Sequence, residues 1–106
     1  MKEINVEELQ ALLKQNPNLK VIDVREEGEY EEYNLNTPLL PLSKIRYMEI
    51  ESIEQWKDED IVLFCKGGVR SKEACLLLKT FGFASPINLL GGITAWKSAF
   101  ADQKIG

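Results

Sequence analysis

Hydrophobic positions along this chain keep two different periods. In "VEELQALLKQ", Val6, Leu9, Leu12 and Leu13 recur at three- and four-residue steps, which predicts an amphipathic helix. "NPNLK" interrupts that pattern, with Pro17 as the break. "LKVIDV" is a short β-branched apolar block ending at Asp23 and Arg25, and it predicts a strand buried on both faces. "DIVLF" and "SPINLL" predict two more strands. Between the first two, "EEGEYEEYNL" reads as a short helix or turn. "TPLLPLSKI" reads as a short strand or extended edge segment, because Pro38 and Pro41 cannot donate to a ladder. "IRYMEIESIEQW" carries Ile45, Met48, Ile50 and Ile53 at loosely helical spacing. Ser71 to Phe81 predicts a helix with Ala74, Cys75, Leu78 and Phe81 inward and Gly82 as its stop. A "GG" turn and a last helix over "ITAWKSAF" complete the chain.

Strands alternating with helices predict an α/β fold, a parallel sheet with helices on both faces. No repeat, linker or low-complexity stretch divides the chain, so residues 1–106 read as a single domain. In such sheets ligands gather beyond the carboxyl ends of the strands. Both the "DVR" triplet and Cys65 fall there.

Composition narrows the chemistry. A hydrophobic fraction of 44% with 28% charged residues reads as soluble and globular. No apolar run approaches the ~20 residues of a membrane span, and the acidic, amphipathic N-terminus lacks an export signal, so a cytoplasmic protein without a membrane partner is expected. Two cysteines in unequal settings do not make a disulfide framework. The chain has no histidine, which excludes Ser-His-Asp and Cys-His catalysis and any histidine-based metal site. The net charge of −4 is uneven: residues 1–60 carry fifteen acids and seven bases, residues 61–106 two acids and six bases. The basic half suits a small anion, but six dispersed bases are too few for nucleic acid.

That half contains "IVLFCKGGVRSKEACLLLKTFGF". A strand-to-helix loop leaves backbone N–H groups free at the helix N-terminus, and Gly67 and Gly68 can take φ > 0 and let those amides curl around one point. This nest, the helix dipole and the cations Lys66 and Arg70 all favour negative charge on Cys65. A thiolate made this way needs no general base. The plainer alternative is a cysteine that only packs. The flanking glycines and cations argue against it for Cys65, whereas Cys75, on the apolar stripe of the next helix, reads as packing.

"IDVRE", "CKGGVRS" and "INLLGGITAW", in that order and separation, make the chain resemble a single-domain rhodanese, of the sulfurtransferase family. The resemblance implies a five-stranded parallel sheet flanked by helices. It also implies a persulfide on Cys65, formed from a small anionic sulfur donor such as thiosulfate and passed to cyanide, a thiol or a sulfur-carrier protein, with no cofactor. By that resemblance the amides of Lys66, Gly67, Gly68, Val69 and Arg70 cradle the sulfur, and Lys66 and Arg70 attract the donor. By the same resemblance Ser71 supports the loop and Asp23 and Arg25 brace it, the alternative for that pair being a structural ion pair and nothing more, and "GGITAW" is structural. The C-x4-R loop has the length of sulfur-handling relatives; those acting on phosphate or arsenate esters carry C-x5-R. Where many rhodaneses have a histidine after the first motif, this chain has Asn34. In that segment it resembles rhodanese domains fused behind E1-like enzymes that activate sulfur carriers. A docking or relay module with little free-standing turnover is the second reading.

Overall fold

A computed structural model describes residues 1–106. Four strands form one all-parallel sheet: β1 (Lys2–Ile4), β2 (Lys20–Asp23), β3 (Asp60–Phe64) and β4 (Ser85–Leu89), in spatial order β1-β4-β3-β2. The helices are α1 (Val6–Gln15), α2 (Glu27–Glu32), α3 (Leu42–Arg46), α4 (Val69–Thr80) and α5 (Gly92–Phe100), with a 3-10 turn at Glu51–Trp56. No helix is long and apolar enough to cross a membrane.

The alternation of side chains along β3 builds a core on each face. Ile61, Leu63 and Cys65 point into one cluster with Ile22, Ala74, Cys75, Leu78 and residues of α3. Val62 and Phe64 point into the other, with Leu9, Ile87, Leu89, Ile93 and Trp96. The continuous apolar run of "DIVLF" is therefore a central strand with nothing facing water after Asp60. Trp96 is fully buried, donates from Nε1 to the Gln103 carbonyl at 2.7 Å and meets the Phe100 ring edge-on at 4.6 Å.

Three sequence expectations change. The sheet has four strands, not five. "TPLLPLSKI", expected as a short strand or extended edge segment, makes one parallel bridge, Asp23 to Leu39, and then turns into α3. Pro38 and Pro41 flank that bridge and have no N–H to extend it. Conversely, the sequence pattern predicts no element before α1, and the structure has β1 at Lys2–Ile4. Three residues with only Ile4 buried carry too little pattern to register as a strand. Third, α4 begins at Val69 rather than Ser71, because Gly68, at φ 106°, ends the loop as the N-cap. The α1 start follows the rule more plainly: Asn5 and Glu8 form a reciprocal capping box at 2.9 and 2.8 Å.

Candidate active site

Cys65 follows the last residue of β3 and lies under the loop that opens α4. It is fully buried, while Lys66, Gly67 and Val69 above it are exposed. The Gly68 amide donates to Cys65 Sγ at 3.1 Å, and Ser71 Oγ lies 3.4 Å from the same sulfur. Burial alone would raise the thiol's pKa. The amides of Ser71, Gly68 and Gly67 oppose burial, with the Ser71 hydroxyl adding to them only in the orientation that turns its proton from Asn88 to the sulfur; the pKa lies below its ordinary value. Cys75 has no such donors, and burial together with the Glu3 charge pushes it up to about 12.

The source of the thiolate's stabilisation differs from the sequence expectation. Arg70 does not stand free for an anion: it forms a two-bond pair with Glu29 of α2, at 2.6 and 2.9 Å. That pairing holds the Glu29 carboxyl down at about 2, so the bridge persists until strongly acid pH. Hydrogen bonds, rather than free cations, are the leading favourable influence on Cys65. Of the two glycines, only Gly68 adopts positive φ; a Cβ on Gly67 would meet nothing within 4 Å.

Asp23 and Arg25 form a buried pair at 2.9 Å, and Arg25 also donates to the Tyr33 carbonyl at 2.7 Å. Asp23 Oδ1 in turn accepts from the Arg25 amide. These bonds tie the end of β2 to the segment after α2 and do not run to the loop of Lys66–Arg70, which is the structural ion pair that stood as the alternative to loop bracing. Arg25 and Lys66 instead share a groove of about 250 Å³ with Glu29, Glu32, Thr94 and Lys97. Asn34 closes a turn: it accepts from the Asn36 amide at 2.9 Å and donates to the Tyr30 carbonyl at 3.0 Å.

The loop is fastened from behind by residues read as merely structural. The amides of Ile93 and Thr94, at the start of α5, donate to the carbonyls of Cys65 and Lys66 at 2.9 and 3.1 Å. Gly92 makes this approach possible. At φ 56°, a Cβ there would overlap both carbonyl oxygens. The "GG" pair signalled a turn, but nothing in the sequence said which loop would press against it. Asn88, on β4, also reaches the site and was missed, because "SPINLL" reads as an apolar strand with one polar interruption.

The rate of alkylation against pH tests this electrostatic picture. Cys65 should ionise with a midpoint below the ~8.5 of a free thiol, and Cys75 should stay unreactive through neutral pH. A Cys65 midpoint at or above the free value would contradict the amide cradle.

The parallel sheet thus places a buried thiol at the end of β3, under the amides that converge from the loop opening α4. The chain belongs to the family of the Rhodanese-like domain, whose model matches residues 5–99. It is 36% identical over 97 residues to a sulfurtransferase of Allochromatium vinosum, covering 89% of this chain and 86% of that protein. It is 38% identical over 95 residues to the probable adenylyltransferase/sulfurtransferase MoeZ of Mycobacterium tuberculosis, 88% of this chain but 24% of that protein. A tRNA uridine(34) hydroxylase of Escherichia coli is 31% identical over 100 residues, 91% of this chain and 28% of its own length. Among solved structures, the Rhodanese-like domain protein of Staphylococcus aureus superposes with a TM-score of 0.79 at 32% identity, covering 91% of both chains.

Proposed function

We propose that this protein is a sulfurtransferase that forms a persulfide on Cys65 from thiosulfate or a similar sulfane-sulfur donor. The observation that carries this reading is the Gly68 amide aimed at a buried sulfur, with Ser71 beside it. The Cys65 thiolate attacks the outer sulfur of thiosulfate. A new S–S bond forms, the bond to the sulfonate sulfur breaks, and sulfite leaves with the electron pair. A nucleophile then attacks the outer sulfur of the persulfide and returns Cys65 as thiolate. Cyanide leaves as thiocyanate, and a thiol or a sulfur-carrier protein takes the sulfur in the cell. The free thiols suit a reducing, cytoplasmic setting.

Lys66 is the cation at the loop that has no carboxylate partner, so it is assigned to attract the donor. Thiocyanate formation from thiosulfate and cyanide tests the proposal: the wild type should turn over, and Lys66→Ala should raise the KM for thiosulfate roughly 3- to 10-fold with kcat nearly unchanged. A second reading, a relay domain serving a protein partner, is favoured by the MoeZ likeness, where the matching segment is a quarter of a longer protein. It predicts a persulfide that forms but is handed to cyanide slowly. Failure to react with thiosulfate or any other sulfane donor would remove both.

A further inference from the structure

Asn88 of β4 stands in register with Glu3 of β1 and is buried. Its Nδ2 donates to the Glu3 carboxylate at 3.0 Å and to the Gly68 carbonyl at 3.2 Å. Both partners only accept, so the amide cannot be turned over without setting oxygen against oxygen. Asn88 Oδ1 is left facing Ser71 Oγ at 2.6 Å, and it can only accept there. The single proton of the Ser71 hydroxyl is therefore committed to Asn88. Toward Cys65, at 3.4 Å, the same oxygen offers lone pairs and receives the thiol's proton. An ionised sulfur needs the opposite, a donor. The Ser71 proton can serve it only by leaving Asn88, whose buried Oδ1 would then lack a partner.

No charged group around the sulfur competes for that proton. Lys66 in the loop is exposed, Arg70 of α4 is paired with Glu29 of α2, and Asp23 and Arg25 at the end of β2 are paired with each other. Glu3, on the edge strand, reaches the site only through Asn88.

We propose that Asn88 is a positioning residue that holds the Ser71 proton away from Cys65 and so sets how readily the reacting sulfur ionises. It acts through Ser71, and at the same time pins the Gly68 carbonyl that shapes the loop. The proposal rests on Cys65 as the reacting sulfur, but it can be read without any sulfur donor.

The test measures the iodoacetamide alkylation rate of Cys65 against pH in a Cys75→Ala background, comparing unaltered Ser71 and Asn88 with Asn88→Leu, Ser71→Ala and the double variant. Asn88→Leu frees the hydroxyl to donate to the thiolate. It should lower the midpoint by about one pH unit, a roughly tenfold faster reaction below the midpoint. In the Ser71→Ala background the same substitution should leave the midpoint nearly unmoved, because the residue through which Asn88 acts is gone. An absent or upward shift on Asn88→Leu, or an equal downward shift in both backgrounds, would overturn the proposal. Circular dichroism checks that each variant folds. If Asn88→Leu does not fold, Ser71→Ala alone decides: an unchanged or lowered midpoint supports the proposal. A midpoint raised by about a unit would mean that Ser71 already donates to the sulfur.

Discussion

Cys65→Ser should lose thiocyanate formation entirely, a fall of roughly a thousandfold or more to the background of the assay, while Cys75→Ala keeps most of it. The two residues are both buried and both unpaired thiols, so burial does not separate them. Their partners do. Cys65 is met by the Gly68 amide and Ser71, and its pKa lies below the ordinary value. Cys75 sits among Ala74, Leu78 and other apolar side chains, where the charged form has nothing to solvate it. A serine at position 65 retains the shape of the site, but its hydroxyl cannot form a persulfide. Activity surviving in Cys65→Ser would place the chemistry elsewhere.

Gly92→Ala should be strongly damaging for the addition of a single methyl. The substitution asks an L-residue to hold φ 56°, at ~1–2 kcal/mol. It also pushes a Cβ into the Cys65 and Lys66 carbonyl oxygens, where relief must come from backbone, at a further ~1–3 kcal/mol. The melting temperature should fall by roughly 10 °C or more. Sulfurtransferase activity should fall further than the lost stability explains, because the amides of Ile93 and Thr94 would no longer hold the loop carbonyls. Gly67→Ala is the matched control. Its added methyl meets no atom within 4 Å and faces no positive φ, so its melting temperature should stay within a few degrees of the wild type. Equal effects from the two substitutions would show that the loop is not fastened through Gly92.

Much of the frame was legible because long-range structure here follows local pattern. The apolar runs at β2, β3 and β4 are buried on both faces, and β-branched blocks bounded by turn residues announce such strands. The helical spacing of Val6, Leu9 and Leu12, capped by Asn5, announces α1 equally clearly. Whether "TPLLPLSKI" is a strand or an extended segment was not legible, since one bridge at Leu39 and a full strand produce the same short apolar segment. Only the tertiary course of the chain separates them. The candidate cysteine stood out from its corner between a strand and two glycines. The charges around it were not. The Arg70–Glu29 pair joins residues 41 positions apart, and Arg25 turns to Tyr33 rather than to the loop, partnerships set by which helices pack together. Asn88 and Gly92 escaped for a similar reason. Each serves the loop of Cys65 from a strand or turn twenty or more positions away, and one-dimensional spacing carries no record of that contact.

The most direct test of Cys65 as the sulfur-carrying residue is the intact mass of the protein after incubation with thiosulfate, followed by peptide mapping. One added sulfur should appear in the wild type, map to the peptide containing Cys65, vanish on addition of cyanide, and be absent from Cys65→Ser. An unchanged mass with every sulfane donor tried, or an added sulfur carried on Cys75, would contradict it.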